Sequence, residues 1–161
     1  MPSAPSRPLT SVQRLALLIA TVGGVGHAPV APGTVASALT ALALGVVSPS
    51  RFALVLTVVA VVALGTWASQ DAERSLGGKD PGAIVIDEVA GMALSVLTLP
   101  LTPAALIAGF VLFRIFDIAK PYPANALQRL PGGVGVMIDD LVAGLYALLL
   151  LLAAQALVGW P

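Results

Sequence analysis

The chain has 161 residues, of which 58% are hydrophobic and only 10% charged, with a formal net charge of zero and a mean hydropathy of +0.98. A soluble domain carries about 25% charged residues, so this chain has too few to clothe a soluble globule, and it lacks the basic surplus that a nucleic-acid partner demands. There is no cysteine, which excludes disulfides, a thiolate nucleophile and cysteine metal sites.

In chain order, residues 1–10 are Pro/Ser-rich with Arg7 and read as a mobile segment, and residues 11–161 read as a single helical membrane domain. Proline and glycine punctuation divides that domain into about six helices. The first, near Ser11–Val22, is short and includes Arg14; the second runs from Thr34 to Val47 and the third from Pro49 to Ser69. The fourth is expected over Pro81–Leu99, the fifth over Pro103–Ala119 and the last over Asp139–Val158. Three starts carry an oxygen-bearing cap followed by proline: Ser48-Pro49, Asp80-Pro81 and Thr102-Pro103. A spanning helix needs roughly 20 apolar residues, which leads to an all-α compact membrane bundle with four or five spanning helices. The oligomeric state is not legible.

Alternating the spans puts Arg74, Lys79, Lys120 and Arg129 on one side and leaves little more than Arg51 on the other, so the positive-inside rule makes the first side the cytoplasm. Arg7 and Arg14 prefer that side too, which makes the first helix interfacial, and Trp160 falls at the far interface. The same alternation brings Asp80, Asp87, Glu88, Asp117, Asp139 and Asp140 to the cytoplasmic face, six of the eight acids in the chain.

These acids are the chemistry-bearing residues. Asp87 and Glu88 interrupt an apolar helix, where an acid costs about 2.5–3.5 kcal/mol on insertion scales; such residues face a partner arginine or a water-filled site. Asp80 fits a simple helix cap equally well. Arg114 and Asp117 have the i, i+3 spacing of an ion pair, yet Asp117 falls in a last turn, where the helix dipole disfavours an anion. Asp139 and Asp140 follow a Gly-rich loop and are expected in a first turn, which the dipole alone can explain for one of them. The uncharged stretch GGVGHAPVAPGTVAS, residues 23–37, holds the sole histidine, His27, which suits a ligand, a proton donor or a plain interfacial loop residue. Thr34 suits a cap or a hydroxyl contact. Three carboxylate clusters on one face make an all-oxygen site suited to Mg²⁺ rather than zinc, and Arg114 and Lys120 at its rim suit a phosphate. One histidine and no cysteine leave metal-assisted attack by water as the phosphatase chemistry available.

Four strings together resemble the phosphatidylglycerophosphatase A family: GVGHAPVAPGTVAS at Gly24–Ser37, DPGAIVIDEVAGM at Asp80–Met92, FRIFDIAKPYP at Phe113–Pro123 and GGVGVMIDDLVAG at Gly132–Gly144. Ala36 stands where that family generally has glycine. The resemblance implies a compact all-helical fold and a Mg²⁺-dependent enzyme of the bacterial cytoplasmic membrane. Such an enzyme removes the terminal phosphate of phosphatidylglycerophosphate to give phosphatidylglycerol. It carries over onto Asp80, Asp87, Glu88, Arg114, Asp117, Lys120, Asp139 and Asp140. In the expected site, Asp87, Glu88, Asp117, Asp139 and Asp140 ligand Mg²⁺ or position its water. Asp80, Glu88 and Asp139 are the catalytic candidates, Asp80 as proton donor or support. Arg114 and Lys120, with Thr34 and His27, bind the substrate. The competing expectations are a CDP-alcohol phosphotransferase, whose Asp-Gly motif is missing here, and a small ion transporter or channel, whose acids would sit at the midplane.

Overall fold

The computed structural model describes residues 9–77 and 81–159. The segment 1–8, Lys79, Asp80 and Trp160 therefore lie outside the described residues. Seven α-helices and no strand occur among those described. They are α1 (Ser11–Ala20), α2 (Pro32–Val47), α3 (Arg51–Leu76), α4 (Ile86–Ser95), α5 (Pro103–Ala119), α6 (Ala124–Leu127) and α7 (Gly132–Val158), with a single 3₁₀ turn at Val25–His27.

Thr10, expected in the mobile segment, instead starts α1. Its hydroxyl accepts from the Gln13 amide while the Gln13 side chain accepts from the Thr10 amide, a reciprocal capping box. The Thr102-Pro103 start of α5 is as expected, with the Thr102 hydroxyl accepting from the Ala105 amide. At 48–50 the roles differ: Ser48 closes α2 in the left-handed region and Ser50 caps α3. The α3 helix also runs on to Leu76, seven residues past its expected end, because the polar stretch after Ser69 contains no proline or glycine until Gly77.

The larger corrections concern α4 and α7. Residues 81–85 do not begin a helix. The Val85 amide donates to the Ala20 carbonyl at 2.9 Å, tying this segment to the end of α1. A Cβ on Gly26 would collide with the Ala83 carbonyl, so the glycine lets the 3₁₀ turn lie against it. Helix α4 is left with ten residues, about 15 Å of rise, and ends with the turn at 96–98 rather than at Leu99. Conversely, α7 starts at Gly132, seven residues early, since its glycines are needed for packing rather than for a loop. A Cβ on Gly133 would strike the Thr66 carbonyl of α3, and one on Gly144 would strike the Gly91 carbonyl of α4.

The core is built from such close approaches. Ala16 and Ala20 of α1 pack in one buried cluster with Ala68 and Ala72 of α3 and Met137 of α7. A second cluster joins Leu54, Met92, Val96, Phe113 and Ala147. Among the described residues only α3 and α7 are long and apolar enough to cross a membrane, and just 28% of the residues in each apolar window are buried. The outward faces of the bundle show Leu56, Val59, Leu64, Leu149 and Leu150. At ten residues, α1 is too short to cross.

Two ends of the bundle can be distinguished. Ser48, Arg51, Leu99, Pro100 and Thr102 share one depression at the first, where the Arg51 guanidinium donates to the Thr98 carbonyl at 2.7 Å. The start of α2, the start of α4, the end of α5 and the first turns of α7 meet at the other.

Candidate functional site

The meeting of those four helices follows from their packing. Close contact at Gly91 and Gly144 sets α4 against α7. Asp87 and Asp140 each lie four residues before those glycines, one turn along on the facing surfaces. Helix α5 runs the other way and delivers its last turns to the same end. Arg114 and Asp117 lie on one face, and Lys120 caps the helix in the left-handed region with φ 43°. The start of α2 closes the fourth side. A Cβ on Gly33 would collide with Glu88 Oε1 and stand 3.3 Å from Arg114 Nη1, so a larger residue here would displace the Glu88 carboxylate.

The result is a cavity of about 270 Å³ lined by Asp87, Glu88, Arg114, Asp117, Lys120, Asp139 and Asp140, with Ala31, Pro32, Gly33, Gly82 and Ile84 completing the wall. Every carboxylate, arginine and lysine expected at the site therefore lines it, apart from Asp80, which lies outside the described residues. Asp87, Asp139 and Asp140 are buried, at 7%, 4% and 3% exposure. His27 is exposed and Thr34 half-buried, and neither lines this cavity.

The dipole expectations exchange places. Asp87 and Glu88 occupy the first turn of α4, where the helix N-terminus favours an anion. Asp139 and Asp140 sit two turns inside α7, where the dipole does nothing for them. Their burial therefore needs another source of positive charge.

That charge is unevenly shared. Arg114 Nη1 lies 2.6 Å from Asp117 Oδ2 and 3.8 Å from Glu88 Oε1. The Nη1 hydrogens are not aligned on either oxygen, so this is a charge contact rather than a formed hydrogen bond. The Lys120 ammonium donates to Asp139 Oδ2 and, at 3.0 Å, to Gln128 Oε1. Burial alone would lower the Lys120 pKa; the bond to Asp139 and the charges of Asp139, Asp140 and Asp117 outweigh it and raise the pKa above the usual lysine value.

The remaining carboxylates converge. Asp87, Glu88 and Asp140 each offer an oxygen within 4.8 Å of the others. Glu88 Oε2 and Asp140 Oδ2 are buried and have no hydrogen-bond partner among the described residues. Octahedral Mg²⁺ holds oxygens at about 2.0–2.1 Å, so adjacent and opposite ligands stand about 3–4 Å apart, close to this spacing. Among the described residues the cavity wall has five carboxylates and two cations, and an all-oxygen donor set suits a hard ion. The residues fit Mg²⁺.

Sequence reasoning missed Gly33 and Gln128. The Pro32-Gly33 step carried a signal, proline at a first helical position. Gln128 carried none, since its role depends on the turn that follows Lys120.

Comparison with known proteins agrees with this geometry. The profile of a family described as phosphatidylglycerophosphatase A matches residues 18–155. A Bacteroides thetaiotaomicron protein provisionally named a phosphatidylinositol-3-phosphatase is 39% identical over 155 residues, covering 90% of this chain and 96% of its own. Proteins of Haemophilus influenzae and Escherichia coli named phosphatidylglycerophosphatase A are 36% and 37% identical. These two alignments cover 86% and 79% of this chain, and 87% and 76% of the relatives. No solved structure matches the chain.

Proposed function

The chain belongs to the phosphatidylglycerophosphatase A family, and from that premise we propose that it hydrolyses phosphatidylglycerophosphate to phosphatidylglycerol and phosphate, with Mg²⁺, at the cytoplasmic face of a bacterial inner membrane. The observation that carries this reading is the convergence of Asp87, Glu88 and Asp140 beside Arg114 and Lys120 in one cavity.

In this reading Asp87, Glu88 and Asp140 hold the metal. The ion supplies a water of lowered pKa and offsets charge as the phosphoryl group transfers. Arg114 and Lys120 receive the phosphate oxygens from the two sides of the α5 terminus. Asp117 aims the guanidinium and Asp139 aims the ammonium, so that neither cation collapses onto the three converging carboxylates. Gly33 keeps the mouth of the cavity open beside Glu88. Asp80 keeps its sequence-based assignment as proton donor to the leaving alkoxide or as support.

The membrane arrangement is part of the proposal. Helices α3 and α7 cross the bilayer, while α5, of 17 residues, stands at the lower limit of spanning length, about 17 residues, and α2, of 16, falls just short of it. The short α4 enters from the cavity end without crossing. Arg74, Lys120 and Arg129 then favour the cytoplasm for that end.

The test is phosphate release by the purified protein in detergent, with Mg²⁺ or with excess EDTA, from phosphatidylglycerophosphate, phosphatidic acid and phosphatidylinositol 3-phosphate. Metal-dependent release favouring the first lipid is expected. The inositol lipid is included because of the name carried by the Bacteroides relative, and faster release from it would transfer the substrate assignment. Absence of release from any of the three by folded protein would end the phosphatase reading.

A further inference from the structure

Lys120 is held in a way that one partner would not explain. Its backbone is left-handed, with φ 43° and ψ 57°, a conformation costing a non-glycine residue about 1–2 kcal/mol. Its ammonium has three hydrogens. One goes to Asp139 of α7 and one to the Gln128 side chain, which closes α6.

The Gln128 segment is itself fixed by two independent contacts. A Cβ on Gly135 would collide with the Leu130 carbonyl and stand 3.3 Å from the Gln128 carbonyl, so this glycine lets residues 128–130 lie directly on α7. On the other side of α6, the Tyr146 hydroxyl of α7 donates to the Tyr122 carbonyl at 2.9 Å. The Tyr146 ring also packs on Phe116 of α5 with centroids 5.6 Å apart. The 120–130 turn is thus pinned to α7 at both ends.

We propose that Gln128 is a positioning residue: with Asp139 it takes two of the three Lys120 hydrogens and leaves the third aimed at the phosphate group of the substrate. The inference rests on the phosphatase reading above and adds to it a residue outside the cavity wall.

The experiment compares Gln128→Met, which keeps the length and removes the acceptor, with Gln128→Glu, which keeps the acceptor. Each is assayed on phosphatidylglycerophosphate in mixed micelles at varied surface fraction, and for binding of inorganic phosphate in the presence of Mg²⁺. Gln128→Met is expected to raise KM and weaken phosphate binding by about fivefold while kcat stays within about twofold, the pattern of lost uniform binding. Gln128→Glu is expected to recover at least half of that loss. A fall in kcat alone, unchanged phosphate binding in Gln128→Met, or a loss that Gln128→Glu does not restore overturns the proposal. Inactivity of the unsubstituted protein on every lipid tested is a different result, and it overturns the phosphatase reading instead.

Discussion

The cavity contains two kinds of carboxylate. Asp117 and Asp139 each face a cation of their own, Arg114 at 2.6 Å and the Lys120 ammonium. Asp87, Glu88 and Asp140 crowd one another, and Glu88 reaches a cation only at 3.8 Å, on an arginine already engaged with Asp117. A buried ion pair is close to balanced within the protein, whereas carboxylates that converge on one another repel, and a bound cation would offset that repulsion. On the proposed function, the difference divides a single acidic pocket into a cation-binding part and a phosphate-facing part.

The largest expected effect breaks the trio. Asp140→Asn keeps the shape and removes one negative charge, and on this division it should lower phosphate release on the order of 10³-fold. It should also weaken Mg²⁺ binding measured by calorimetry. Glu88→Ala should do the same. Full activity in either variant would mean that the three converging oxygens are not where the ion is held.

Asp139→Ala probes the other part. It leaves the trio whole and releases Lys120, so turnover should fall about 10–100-fold while the calorimetric Mg²⁺ affinity falls far less than in Asp140→Asn. A collapse of Mg²⁺ affinity equal to that of Asp140→Asn would erase the distinction and make Asp139 a ligand after all.

A third change tests what holds the trio together. Gly144→Ala adds a methyl group where α4 and α7 touch, against the Gly91 carbonyl. Overpacking of this kind costs about 1–3 kcal/mol, read as a lower melting temperature in detergent. Because Asp140 lies one turn away, Mg²⁺ affinity should fall with it. A variant that melts earlier yet binds Mg²⁺ unchanged would show that the trio does not depend on that contact.

That seven of the charged residues gather at one place was legible in the sequence; that His27 and Thr34 stand apart from them, and how the acids are arranged, was not. Asp87, Glu88, Arg114, Asp117, Lys120, Asp139 and Asp140 could be grouped because charges in so apolar a chain must gather, and alternation of spans gave them one side. Helix α5 was legible to the residue, since Thr102-Pro103 opens it and Pro121 follows its end. The limits of α4 and α7 were not, because both rest on tertiary contacts. The segment 81–85 bonds to the end of α1, and Gly132, Gly133 and Gly135 look like a loop until α3 and the 128–130 segment are set against them. The errors had a consequence for the chemistry. With α7 begun at Asp139, the helix dipole could account for one of its two acids; with the earlier start it accounts for neither.

The smallest expected effect lies outside both parts. His27 was grouped with the substrate-binding residues on the strength of its position in a Gly/Pro-rich stretch. In the fold it is exposed at the end of the 3₁₀ turn, while the glycine beside it, Gly26, is the residue packed on Ala83. The stretch is thus held near the site by its glycines, with Gly33 touching Glu88 and Gly26 steadying the 81–85 segment that precedes Asp87. A surface side chain away from such features contributes within about 0.5 kcal/mol, so His27→Ala should change kcat/KM by no more than about twofold. Gly26→Ala, one residue away, should reduce it more by displacing the segment that leads into α4. If the order were reversed, with His27→Ala costing tenfold or more and Gly26→Ala tolerated, the imidazole would reach the phosphate directly. The division into a metal trio and two ion pairs would then lack a third, proton-donating part.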